Sequence, residues 1–354
     1  AFPAHQIVDR GAQIAVVAEP ILSRVIEISD RLPALRSIVV AGASDRFGAP
    51  DTGVHLSPLA DWRTCGPYSG AMPRASDVAH VMYTSGTTGP AKGVLMPHAH
   101  CFLYGLGAID NLGLNADDRY YVTLPLYHAN GLFMQVYACL IAGATVVLKP
   151  RFSARDWLAD IRRYRATLTN TLGVVAPFIF AQPRSSDDAD HQLRAIVAAP
   201  NPAELQAIWR DRFGVANVLS GFGMTEVNIP VWGRVGVETP PDAAGLVYDR
   251  YFEVQILDPD TDIARPAGEV GEIVVRPKAP FGFMAGYREL PAKTVEAWRN
   301  LWFHTGDAGF MDQDGFVYFV DRIRDCIRRR GQNISSVEIE NALLSMPGII
   351  EVAA

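Results

Sequence analysis

Residues 83–94 read Tyr-Thr-Ser-Gly-Thr-Thr-Gly-Pro-Ala-Lys-Gly-Val, with three glycines, three threonines, one serine and one lysine. Glycines let a backbone turn and bring its N–H groups close to a ligand. Hydroxyls and N–H groups converging on one point make an anion site, and Lys92 adds a mobile positive charge. The order is not that of a Walker A loop, because its second glycine would fall on Ala91 and Lys92 is followed by Gly93. A polar hairpin is the plain alternative; a polyphosphate is the natural guest.

Three further stretches carry chemistry. In residues 220–226, Ser-Gly-Phe-Gly-Met-Thr-Glu, Gly221 and Gly223 flank an aromatic able to stack on a purine. Thr225 can bond a phosphate oxygen, and Glu226 is a hard oxygen ligand suited to Mg²⁺. In residues 302–307, Trp-Phe-His-Thr-Gly-Asp, a carboxylate on a tight turn can take both ribose hydroxyls, with His304 supporting the turn. In residues 124–132, Leu-Pro-Leu-Tyr-His-Ala-Asn-Gly-Leu, His128 follows a strand end, where open α/β sheets bind ligands. His98 and His100 have the spacing of a strand-borne metal pair but lack a third ligand nearby, so a helix over 98–112 is the better reading.

The elements that must position these residues follow from pattern. Apolar runs predict strands at 37–41, 78–83, 94–96, 120–124, 144–148, 193–198 and 217–219. Helices are predicted at 19–32, at 153–164 with Ser153 as N-cap, and at 202–213. Residues 42–76 read mostly as loop, and the apolar run 171–180 as core. From about Arg234 the texture turns to alternating strands at 252–257 and 271–276, a glycine-rich aromatic loop at 281–287, a short helix at 291–298 and a strand at 315–322. This is an α/β chain with a β-rich, barrel-like subdomain.

Composition narrows the partners. A net charge of −6 argues against nucleic acid, and the arginines at 322, 324 and 328–330 read as a solvated face. Four scattered cysteines with no C-x-x-C pair suit a reducing, cytoplasmic compartment. The most apolar stretch, 137–148, is too short to span a bilayer and is broken by Gly143.

The order Y-T-S-G-T-T-G-x-x-K-G-V, the G-F-G-M-T-E segment, T-G-D at 305–307 and the arginine at 322 together resemble the adenylate-forming superfamily of acyl-CoA synthetases, adenylation domains and luciferases. The phrase 319–322 and the surroundings of Gly331 look most like ligases of the crotonobetaine/carnitine-CoA type. The resemblance implies layered α/β/α sheets and a small β-barrel: residues 1–233 for ATP and acyl binding, 234–323 for the barrel, and 324–354 for a hinge and the start of a small C-terminal domain.

It further implies that Thr84, Ser85, Gly86, Thr87, Thr88, Gly89 and Lys92 hold the β- and γ-phosphates, while Ala198, Ala199 and Pro200 carry adenine with Gly221, Phe222, Gly223 and Met224. Thr225 would hold the α-phosphate, Glu226 the metal, and Asp307 and Arg322 the ribose or phosphate. His128, Val174, Val175, Gly221 and Phe222 would line a pocket for a small or medium carboxylic acid, and Arg324 and Gly331 would serve the hinge and the CoA arm. Thr84, Lys92, His128, Thr225 and Glu226 are the expected catalytic set.

The implied activity is ATP-dependent acid–CoA ligation, as in fatty acid metabolism, with ATP, Mg²⁺, CoA and a carboxylic acid as partners. Loading of a carrier protein, or nucleotide binding without catalysis, are the alternatives. Relative to the family the chain reads as cut at both ends. The adenylation lysine of the small domain is then missing, activity would be low, and exposed sheet surface would invite a homo-oligomer.

Overall fold

The computed structural model describes residues 11–42, 53–62, 66–84, 91–172, 175–323, 327–329, 332–334 and 343. They fall into two compact units, Ala1–Pro73 and Arg74–Ala354.

The first unit is a parallel sheet of β1 (Ile14–Ala18), β2 (Ser37–Ala41) and β3 (His55–Pro58), in that order. Val17, Val25, Leu32, Leu35, Ile38, Val40 and Val54 form its core. The single helix expected over 19–32 is instead three short pieces, Glu19–Ile21, Leu22–Ile26 and Ser29–Arg31. The Ser29 hydroxyl donates to the carbonyl of Ile26 at 2.7 Å, a local bond that competes with helix continuation. Strand β3 lies in the stretch read as loop.

In the second unit, β4 (Val78–Thr84) and β5 (Lys92–Pro97) pair antiparallel with Thr84 opposite Lys92, and the two-residue β16 (Gly286–Tyr287) adds to the far side of β5. The chain runs straight from β5 into the expected helix His98–Leu112, which ends on Gly113 at φ 59°. Left-handed backbone of that kind is the usual glycine stop.

The central sheet is wholly parallel, ordered β10 (Asn217–Leu219), β9 (Ala195–Ala199), β8 (Leu168–Leu172), β6 (Arg119–Val122) and β7 (Thr145–Leu148). Ser153 caps the following helix Ala154–Tyr164 as expected, its hydroxyl accepting from the Asp156 amide. Trp157, Trp209 and Phe213 fill the core on one face of this sheet. From β6 the chain moves outward to β7, then returns past β6 and builds the other edge through β8, β9 and β10. The reversal puts a crevice at the carboxyl ends of β6 and β8, where such sheets take ligands.

The third sheet has eight strands. Its path runs β11 (Gly221–Met224), β12 (Asn228–Trp232), β13 (Ala243–Val247), β19 (Phe316–Arg322), β18 (Trp302–Met311), β15 (Gly271–Pro277), β14 (Phe252–Leu257), and β17 (Trp298–Arg299) pairs with β18. Pairing into this sheet already begins with β11 at Gly221. Its junction is close-packed: Gly245 has φ 134°, and a Cβ there would lie 2.1 Å from the Trp232 carbonyl carbon. Residues 327–329 and 332–334 pair as a small antiparallel ribbon.

Candidate active site

The glycine-rich segment joins β4 to β5, which pair antiparallel on either side of it. Its residues Ser85, Gly86, Thr87, Thr88 and Gly89 lie outside the described residues, but both rims are defined. Thr84 Oγ1 is shielded from solvent and has no hydrogen-bond partner among the described residues. A hydroxyl left so costs about 1–3 kcal/mol, which a bound oxygen anion would recover. Across the ladder, Lys92 places its ammonium 4.2 Å from the centroid of the Tyr287 ring.

Glu226 sits at the turn between β11 and β12 and is 3% exposed, against the alternative of a turn with a solvated carboxylate. The Tyr287 hydroxyl donates to Glu226 Oε1 at 2.9 Å, and the Met284 amide donates to the Glu226 carbonyl at 3.0 Å. The helix 98–112 holds the same turn from beneath. The Tyr104 hydroxyl donates to the Met224 carbonyl at 2.8 Å.

His100, fully buried, brings Nε2 to 2.9 Å from the Thr225 carbonyl and Nδ1 to 2.7 Å from that of Gly282. A neutral ring donates to only one of these at a time. Burial lowers the His100 pKa and the two carbonyls oppose that shift. Of the two histidines, His100 is thus a helix-borne clamp on the 225 and 282 backbones. Burial and then Glu226 raise the pKa of the Tyr287 phenol, so it stays a donor.

Asp307 is 3% exposed and lies on β18 opposite Arg322 on β19, so it belongs to a strand and not to a free turn. Gly306, at φ 74°, supplies the local kink. Arg322 Nε is 2.9 Å from Asp307 Oδ1, in ion-pair contact but off-line for a hydrogen bond. Burial pushes the Asp307 carboxyl up to about 6, against the pull of Arg322 and with help from Glu226. The expected role of His304 holds: its Nδ1 lies 2.8 Å from Glu272 Oε2, and Glu272 Oε1 accepts from the Gly306 amide at 3.0 Å.

The parallel sheet brings the remaining segments to one edge. The carboxyl ends of β6, β8, β9 and β10 deliver the His128, Val175, Ala199–Pro200 and Gly221 segments in turn. Ala198 is buried, and the Ala199–Pro200 bond is cis. His128 is exposed with its ring against Tyr127, 4.6 Å between centroids.

Beyond His128 a π-helix, Asn130–Tyr137, sets Asn130 over the crevice. Its Oδ1 accepts from Asn170 Nδ2 at 2.7 Å and Gln135 Nε2 at 3.0 Å. Val175 is partly buried against the core cluster on one face of the parallel sheet, and Val174 lies outside the described residues, as do Arg324 and Gly331.

One expectation is corrected. Phe222 is 7% exposed and its ring packs into the core, stacked on Phe319 at 6.2 Å. It offers a ligand backbone, not a free aromatic face. Gly223 is required by the hairpin itself, since a Cβ would lie 2.2 Å from the Asn228 carbonyl oxygen. Sequence reasoning missed Tyr287, His100, Tyr104 and Glu272. The glycine-rich aromatic loop 281–287 was the visible sign of the first.

Among the described residues no three His, Cys, Asp or Glu side chains group to hold a metal by themselves. Glu226 nevertheless fits a hard divalent cation that arrives with phosphate oxygens. One carboxylate oxygen is fixed by a neutral phenol and the other has no partner among the described residues.

The AMP-binding enzyme family matches residues 4–288. A crotonobetaine/carnitine–CoA ligase of Escherichia coli is 35% identical over 281 residues, covering 78% of this chain and 53% of the relative. The medium/long-chain-fatty-acid–CoA ligase FadD17 of Mycobacterium marinum is 34% identical over 278 residues, with 78% and 54% covered. The chain spans about half the length of these curated relatives.

Among solved structures, the anthranilate CoA ligase AuaEII in complex with anthranoyl-AMP superposes with a TM-score of 0.85 at 28% identity, covering 98% of this chain and 66% of that one. ATP-bound MatB from Rhodopseudomonas palustris gives 0.83 at 26%, covering 99% and 67%. No helix among the described residues is long and apolar enough to cross a membrane. With a family match over most of its length and the same fold in both solved structures, the chain belongs to the AMP-binding, adenylate-forming enzymes.

Proposed function

We propose that this chain carries the nucleotide- and acid-binding part of an ATP-dependent acid–CoA ligase. A carboxylate is a poor acyl donor because its leaving group would be oxide. In the first half-reaction its oxygen attacks the α-phosphorus of ATP, the bond to the β-phosphate oxygen breaks, and acyl-AMP and pyrophosphate form. In the second a CoA thiol sulfur attacks the acyl carbon, the C–O bond to AMP breaks, and the thiol proton passes to solvent.

The chain's own groups act by position and charge, which is most of what such a reaction asks. Thr84 and Lys92, with the hairpin between them, bind the β- and γ-phosphates; Thr225 binds the α-phosphate. Asp307 accepts from the ribose hydroxyls and Arg322 balances its charge. Ala198, Ala199 and Pro200, with the backbone of residues 221–224, bed the adenine. His128 and the crevice at β6 and β8 take the acid. A Mg²⁺ ion held by Glu226 would neutralise phosphate charge.

The observation that carries this reading is the pair of contacts at Tyr287, whose ring lies against Lys92 of the first motif and whose hydroxyl donates to Glu226 of the second. The test is pyrophosphate release by the full-length protein across a panel of carboxylic acids, with CoA present or withheld. Acid-dependent release, with thioester formed only when CoA is added, is expected. No release with any acid, from a protein that binds ATP, would reject it.

A further inference from the structure

Residues 284–288 are fastened on two sides. The Met284 amide donates to the Glu226 carbonyl at 3.0 Å. The Ala285 and Arg288 amides donate to the carbonyls of Leu95 and Gly93, both at 2.8 Å. The Tyr287 amide donates to Thr294 Oγ1 at 2.9 Å, and Gly286, at φ 140°, has Thr294 where a Cβ would point. The backbone that carries Tyr287 therefore cannot drift relative to either motif.

Its side chain is 7% exposed and spans the gap between two opposite charges. The ring face meets the Lys92 ammonium at 4.2 Å, and the hydroxyl meets Glu226 Oε1 at 2.9 Å. Lys92 and Glu226 form no ion pair with each other; the ring stands between them. A direct pair would neutralise both groups before any ligand arrived. A ring quadrupole holds the ammonium while leaving it charged. A phenol bond turns one carboxylate oxygen inward and leaves the other to face a ligand, as outer-shell donors do for metal-binding carboxylates.

We infer that Tyr287 is a positioning residue that keeps Lys92 and Glu226 apart, charged and aimed, so that each is free for its own part of a metal–nucleotide complex. The inference rests on the function proposed above.

The test is calorimetry on this chain with three ligands: AMP, metal-free ATP in EDTA, and the Mn²⁺ complex of a non-hydrolysable ATP analogue. Tyr287→Phe keeps the ring and removes the hydroxyl. It should weaken the Mn²⁺ complex about 10–100-fold and leave AMP and metal-free ATP unchanged. Tyr287→Leu removes both contacts and should in addition weaken metal-free ATP by about 2–5-fold, the scale of an exposed cation–π contact.

Glu226→Gln is the control, and the double variant with Tyr287→Phe should be no weaker than Glu226→Gln alone. Wild-type affinity for the Mn²⁺ complex in Tyr287→Phe, with Glu226→Gln weakened, overturns the inference and leaves the site reading standing. Equal losses for AMP and the Mn²⁺ complex in Tyr287→Phe mean a general packing role and also overturn it. If Glu226→Gln itself binds the Mn²⁺ complex as wild type does, both readings fall.

Discussion

Asp307 is buried and shares its surroundings with Glu226, which together lift its carboxyl to about 6 against the pull of the half-exposed Arg322. Ribose hydroxyls donate, so they need the carboxylate and not the acid. Nucleoside affinity should therefore be flat above pH 6 and fall toward tenfold per pH unit below it, because binding must first expel a proton. Adenosine is the right probe, since it has the ribose and no phosphate that titrates in this range. Asp307→Asn should flatten that profile and weaken binding by about 1.5–3 kcal/mol, the value of a charge-assisted bond. An unchanged profile in the variant would remove Asp307 from the site.

Stability carries the same sign. A carboxyl raised in the folded state favours the protonated fold, so its contribution is full below the unfolded value and lost as pH rises through about 6. Urea unfolding at pH 5 and 7.5 should show wild type losing ground to Asp307→Asn at the higher pH. Glu226 and Asp307 were legible in the sequence because each ends a short glycine-bearing phrase. Tyr287 and His100 were not, because their roles exist only once distant backbones are brought together.

The elements show why some readings held and others failed. Strands β4, β9 and β14 are rich in apolar residues, and their pattern marks them. Strand β8 reads Leu-Thr-Asn-Thr-Leu, whose three polar residues look like loop. Burial is allowed there because Thr169 donates to the Tyr121 carbonyl at 2.9 Å and Asn170 accepts from the Tyr120 hydroxyl at 2.6 Å. Those partners lie on β6, some fifty positions earlier, where no local pattern could show them.

The start of the third sheet is hidden from local pattern for a related reason. Strands β11 and β12 follow a helix and a parallel strand in sequence, yet their pairing runs into β13. That junction depends on Gly245, whose φ and lack of a Cβ let β13 pass against Trp232. Gly245→Ala should lower stability by about 2–4 kcal/mol, since it adds both backbone strain and a clash with main-chain atoms. It should also weaken adenosine binding, because β11 and β18 are then no longer held in one sheet. A variant as stable as wild type to urea would show that the contact relaxes freely.

At the scale of the molecule, the family match stops at residue 288, before Asp307 and Arg322. What ties those two residues to the matched part is the third sheet, which joins β18 and β19 through β13 and β12 to the strand leading into Glu226. Every described site residue lies in the second compact unit, and the first has its own sheet and core. The joining stretch 66–75 is irregular and exposed, with Tyr68 at 77% and Met72 at 81%. A specific protease site placed at 68–72 should therefore be cleavable in the folded protein, as exposed connections usually are. Nicking there cuts no strand of the sheets that carry Thr84, Lys92, Glu226 or Asp307. Adenosine affinity should stay within about twofold of the uncut protein, because exposed connections tolerate cleavage when no buried backbone bond is lost. A tenfold loss on cleavage, with the two pieces still folded by circular dichroism, would mean that nucleotide binding depends on the integrity of the first unit.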